Sequence, residues 1–174
     1  MSSKRPTLAR RSLPMRPFSE SLPMALLRTR EAVMRLFRPG LRSRGVTEQQ
    51  WRILRALAHQ GPMEVTELAE ATFFLAPSLS RILPDLEQRR LIGRRVVDTD
   101  LRRSVVSLQA EGLRLITEHA PYSEQMYARI AKRFGTEKLV QLLQLLHDLE
   151  TSLGELAGEL EPDLARARNR KPSP

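Results

Sequence analysis

The sequence predicts a mainly α chain with a small β-hairpin wing, a winged helix-turn-helix domain carrying N- and C-terminal dimerisation helices. Three observations predict it. Apolar residues recur at helical spacing through most of the chain. Two short β-branched runs around an Asp-rich turn follow a helix–turn–helix pair. A long C-terminal leucine stripe has no partner within so small a domain.

The first helix is expected over Ser21–Phe37, where Leu22, Leu26, Val33 and Phe37 form a stripe that Pro39-Gly40 ends. Thr47 opens the second, with Gln50 three residues on completing a capping box. Its buried face is Trp51, Leu54 and Leu57, and Gly61-Pro62 closes it. A short helix over 65–71 turns Leu68 and Ala69 inward, and Phe73-Phe74-Leu75 makes an apolar turn. Pro77 suits the first position of the next helix, which runs to about Arg89 with Leu79, Ile82, Leu83 and Leu86 inward.

Over 91–108 the period shifts. Leu91-Ile92, Val96-Val97, Val105-Val106 and Leu108 bracket the polar stretch 98–103, as a hairpin does. After Gly112 a long helix reaches about Phe134. Another runs from a capping Thr136 to about Leu160, with Leu139, Leu142, Leu143, Leu146, Leu149, Leu153 and Leu156 on one side. The expected division is a basic disordered arm over 1–19, a domain over 20–160 and a disordered tail over 161–174. Within the domain the winged part spans about 47–109, with dimerisation helices at about 20–38 and 110–160.

Composition narrows the function classes. The chain has 174 residues and no cysteine, which removes disulfides, thiolate nucleophiles and cysteine metal sites. No apolar run approaches the roughly 18–20 residues of a membrane span. The arm lacks the apolar segment of a secretory signal, so the expected location is the cytoplasm. Its Arg-rich, acid-free composition also suits a transit peptide, but Pro6, Pro14 and Pro17 break an amphipathic helix there.

Much of the formal charge of +9 sits in the two tails: residues 1–19 carry +5, residues 162–174 carry +3, and only +1 remains between them. Net charge alone is therefore a weak pointer to nucleic acid. Residues 24–56 carry +6 and residues 137–163 carry −6, a complementarity that suits interlocking terminal helices of two subunits. Independent solvated faces are the alternative. His59, His119 and His147 are scattered, and neither catalytic nor metal-ligand spacing appears, so no enzyme, metal or cofactor is expected.

Leu86-Glu87 through Leu91-Ile92, Arg94, Asp98, Asp100, Arg102, Val106, Leu108 and Gly112 resemble the wing signature of the multiple-antibiotic-resistance regulator (MarR) family. The resemblance covers roughly residues 20–155. Arg30-Glu31-Ala32, Phe37-Arg38-Pro39 and Thr47 to Ile53 are similar to the branch that controls homoprotocatechuate-degradation operons. Three departures stand out. Pro84 lies inside the expected recognition helix, Arg90 stands where the family usually has Gly, and Gln109 replaces the usual Thr cap. Pro84 implies a kink or a shifted helix start, and Arg90 implies strain if its φ is positive.

In this setting the recognition helix presents Ser78, Ser80, Arg81, Asp85 and Gln88. Arginine suits guanine and glutamine suits adenine in bidentate edge contacts, while serine hydroxyls suit phosphate. The wing offers Arg94, Arg95, Arg102 and Arg103. The resemblance implies that Asp100 positions Arg102 for a minor groove or backbone phosphate. A salt bridge that merely holds the turn is the other reading of Arg102.

Arg30 shares a strip with Leu26, Val33 and Phe37, and Arg38 follows two turns on. With Trp51 in the second helix, they suit an aromatic carboxylate: planar donors for the acid, rings for the body. A structural ion pair with Glu31 or the other subunit is the alternative for Arg30. The functional expectation is a homodimer on a pseudo-palindromic double-stranded DNA operator, a repressor released by a small aromatic acid or its thioester. Control by a protein partner, or a helical interaction scaffold, are the rivals.

Overall fold

The computed structural model describes the backbone over residues 16–97 and 100–169, and side-chain environments over 16–96 and 103–162. A 3-10 turn at Phe18–Glu20 leads into α1 (Leu22–Arg42), α2 (Glu48–Gln60), β1 (Met63–Glu64), α3 (Val65–Thr72) and α4 (Ala76–Gln88). Then come β2 (Ile92–Val97), β3 (Asp100–Leu108), α5 (Ala110–Phe134) and α6 (Thr136–Asn169). Two compact units meet inside α5, one ending at Ser123 and the other beginning at Glu124.

The first unit is the winged helix-turn-helix, and its core explains the expected spacings. Ile53, Leu54 and Leu57 of α2 meet Leu68 of α3 and Leu79, Leu83 and Leu86 of α4, all at most 2% exposed. Ile92 and Val106 cover this cluster from the sheet. Threonine capping fixes where α2 starts: the Gln50 amide donates to the Thr47 hydroxyl at 3.2 Å, and the Thr47 amide donates to the Gln50 side chain at 2.9 Å.

The sheet has a third strand that the sequence does not announce. The order is β1-β3-β2, antiparallel throughout, with Met63 opposite Val106 and Ile92 opposite Leu108. Two residues cannot carry a periodic signal. β1 exists because β3 offers a free edge, and Glu64 then caps α3, its amide donating to Glu67 at 2.7 Å.

Four boundaries differ from expectation. Pro39-Gly40 does not stop α1, which continues to Arg42. Gly40 is buried, and a Cβ there would clash with the Tyr122 ring. The glycine serves close approach rather than termination. α4 starts at Ala76, one residue before Pro77, and runs unbroken through Pro84, so that proline does not shift its start. α5 starts at Ala110, with Gly112 in its first turn against the Leu91 carbonyl. α6 begins with Thr136 as its first helical residue and passes through Pro162 to Asn169, nine residues into the segment expected to be disordered.

The second unit holds the end of α5 and all of α6. On α6, Leu143, Leu146, Leu153, Leu156 and Leu160 are exposed, at 38–60%. In the first unit, α1 likewise exposes Leu22, Leu26, Leu27, Val33 and Leu36. No helix among the described residues is long and apolar enough to cross a membrane.

Candidate functional site

α4 is amphipathic because its leucines are spaced for the core, and that spacing leaves Pro77, Arg81, Pro84 and Gln88 on one outer strip. Arg81 and Gln88 are exposed and have neither a hydrogen bond nor an ion pair among the described residues. Ser78 is half-buried, and the exposed Ser80 hydroxyl donates back to the Ala76 carbonyl at 3.1 Å. Asp85 is occupied differently: Gln50 donates to it at 2.5 Å, and Arg89 stands 3.5 Å away. It ties α4 to α2.

On β2, Arg94 pairs across the ladder with Val106 and reaches the Ser104 hydroxyl at 3.4 Å. Arg95 is exposed without such a partner among the described residues. Arg103 is held inside the unit, its Nε donating to Glu64 of β1 at 2.9 Å. The Asp100 and Arg102 side chains, and the tip residues Asp98 and Thr99, lie outside the described residues. Arg90, next to the recognition helix, adopts φ 56°, the left-handed region its glycine-like position implied. The side-chain amide nitrogen of Gln109 donates to the Ser107 hydroxyl at 3.3 Å.

A second feature is a cleft of about 490 Å³ beside α1 and α2. Arg30, Arg38 and Arg42 line it from α1, Glu48 and Arg52 from α2, and Phe74 from the turn before α4. Glu48, its side chain 17% exposed, is the hub: it pairs with Arg30, with Arg38 at 3.0 Å and with Arg52 at 3.5 Å. Glu31 pairs with Arg30 and Arg38, both at 2.9 Å. The Arg38 hydrogen bond holds the Glu31 carboxyl below the usual carboxylate range, and the same bond raises Arg38. Arg52 is pushed down, first by burial and then by the charge of Arg30. Its guanidinium lies 4.7 Å from the centre of the Phe74 ring. Four guanidiniums share the wall with one carboxylate, which suits an anion carrying a flat apolar body.

The structure brings Arg30 and Arg38 together here but takes Phe37 and Trp51 elsewhere. Phe37 is buried, and Trp51 packs edge-on against His119 with ring centres 4.6 Å apart. The aromatic wall is Phe74 instead. His119, 1% exposed, has no hydrogen-bond partner at either ring nitrogen among the described residues, and its ring centre lies 5.5 Å from that of Tyr122. Burial, and then the Arg44 charge, lowers its pKa below the ordinary 6.5.

Residues 44–103 match the MarR family. The homoprotocatechuate degradative operon repressor of Escherichia coli is 40% identical over 129 residues, covering 74% of this chain and 87% of that protein. The crystal structure of the transcriptional regulator PA4135 is 43% identical with a TM-score of 0.73, covering 78% of this chain and 98% of that one. The crystal structure of NadR in complex with 4-hydroxyphenylacetate is 37% identical with a TM-score of 0.67, covering 79% and 97%. These relatives are transcriptional regulators, not enzymes. The winged fold, the wing residues and these identities agree: the chain belongs to the MarR family of winged-helix transcriptional regulators.

Proposed function

We propose that the protein is a homodimeric repressor that grips a pseudo-palindromic double-stranded operator and releases it when a small aromatic acid, or its thioester, binds. The observation that carries DNA recognition is the outer strip of α4, where Arg81 and Gln88 have no partner among the described residues. A bidentate donor left unpaired on an exposed recognition helix is available to a base edge. Ser78 and Ser80 act at phosphate, and Arg94, Arg95, Asp100, Arg102 and Arg103 form the wing contact. The winged part over 47–109 reads DNA while helices over 20–38 and 110–160 join the subunits. The exposed apolar residues of α1 and α6 support that joining, because a second copy removes them from water. A DNA-binding regulator works in the cytoplasm.

The acid is placed in the arginine cleft, held by Arg30 and Arg38 with its ring against Phe74. Two relatives support this class of effector. NadR was solved with 4-hydroxyphenylacetate, and the Escherichia coli relative represses a homoprotocatechuate degradative operon. Release requires that the acid favour the conformation that does not fit DNA.

The test is a selection of bound sequences from random duplexes, followed by fluorescence anisotropy across salt. Arg81→Ala is expected to cost roughly 1–3 kcal/mol and to relax base preference at one position per half-site. Arg30→Ala is expected to raise the acid concentration needed for release while leaving ligand-free affinity intact. Sedimentation is expected to give about twice the 19.9 kDa chain mass. A monomer without sequence preference overturns the proposal.

A further inference from the structure

Phe73 and Leu75 are the most exposed large apolar residues described, at 81% and 77%, and they flank the entry to α4. Phe74 between them does the packing: it is half-buried on the core, with Arg52 at its ring. Phe73 takes the left-handed C-cap of α3 at φ 53°, a position where glycine or asparagine is the low-strain choice. Leu75 takes the N-cap of α4, where a serine, threonine or aspartate would satisfy a helix amide and leucine makes no such bond. Both positions therefore cost the fold something, and neither side chain contributes to the core.

The occupant that fits is set by the surroundings. The two side chains stand at the end of the recognition helix that carries the unpaired Arg81 and the exposed Ser80. Two residues are far too small a patch for a protein interface, which takes about 800 Å² per partner. The DNA major groove offers an isolated apolar feature among polar edges, the 5-methyl group of thymine. Resting on the operator-binding reading above, we infer that Phe73 and Leu75 read thymine methyl groups where the N-terminal end of α4 enters the major groove. They supply specificity by desolvation, and Arg81 supplies it by hydrogen bonding.

Replacing thymine by deoxyuridine removes only the methyl and leaves base pairing unchanged, so the experiment is a methyl scan of the selected operator by fluorescence anisotropy. At one or two positions per half-site, deoxyuridine weakens wild-type binding about fourfold, the value of one methyl taken out of water. Leu75→Ala or Phe73→Asn loses a similar factor on the thymine operator and little more on the deoxyuridine one. Neither variant melts below wild type, since neither side chain is buried and asparagine relieves the left-handed strain at Phe73. Equal wild-type affinity for thymine and deoxyuridine operators overturns the inference, as do losses that simply multiply. Either result leaves Arg81-dependent operator binding standing. Absence of sequence-selective binding in the wild type removes the operator reading itself, and this inference with it.

Discussion

Gly40 and Tyr122, 82 positions apart, are fitted to one another: the tyrosine ring occupies the space a Cβ at Gly40 would need. The same ring anchors itself by donating its hydroxyl to the Leu36 carbonyl at 2.8 Å. α1 and α5 are thus locked backbone to ring. Gly40→Ala overpacks this contact and is expected to cost about 1–3 kcal/mol in urea unfolding. Tyr122→Phe loses the hydrogen bond for about 1 kcal/mol. Adding Tyr122→Ala to Gly40→Ala should recover part of the glycine penalty, because the two changes share one space. Additive losses would show that the contact is not the cause.

His119 predicts an acid sensitivity. Its folded pKa lies below 6.5, so between that value and 6.5 the unfolded chain binds more protons than the folded one. Stability is complete above about pH 6.5 and declines as pH falls towards the folded pKa. His119→Phe keeps an aromatic ring beside Trp51 and Tyr122 and removes two unpartnered nitrogens. The wild type should lose stability relative to this variant as pH drops from 7 to 5, read by unfolding at each pH. Parallel curves would exclude His119 as the source.

Arg90 stands at φ 56° with its side chain exposed, so the backbone bears the cost without a packing return. Arg90→Gly is expected to stabilise the winged unit by about 1 kcal/mol, less what glycine adds to the entropy of the unfolded chain. An unchanged or lower unfolding midpoint would mean that the arginine contributes a compensating interaction.

Glu48 pairs with three guanidiniums in a half-sheltered cleft. Glu48→Gln leaves Arg30 and Arg38 with Glu31 alone and takes the carboxylate from Arg52, at an expected cost of about 1–3 kcal/mol in low salt. An external carboxylate can take the vacated role. Thermal shift with 4-hydroxyphenylacetate should therefore stabilise this variant more than the wild type. Identical shifts would argue that the acid binds elsewhere.

Local chemistry made much of the fold legible. The Thr47–Gln50 capping box, the leucine spacing of α4 and the change of period at the wing each depend on residues close in sequence. What stayed hidden depends on distant partners. Pro39-Gly40 reads as a stop until Tyr122 is brought against it. β1 needs β3, and its charge partner Arg103 lies 39 positions away. The cleft was half legible. Arg30 and Arg38 share a strip of α1, but Trp51 and Arg52 are turned about 100° apart on α2, so Arg52 faces the cleft and Trp51 faces His119. The ring that does face the cleft, Phe74, sits in a turn where periodicity carries no information.

The two residues of β1 have a mechanical consequence for binding. They pair with β3 on one side and run directly into α3 on the other, while Glu64 clamps Arg103 across the ladder. The base of the wing and the helix-turn-helix are therefore one rigid tool rather than two tethered ones. On the proposed operator, seating α4 delivers the wing at high effective concentration, and the second contact forms without a new search. Cutting the Glu64–Arg103 clamp would lengthen that search, and the loss would appear as faster dissociation from every duplex, whatever its sequence.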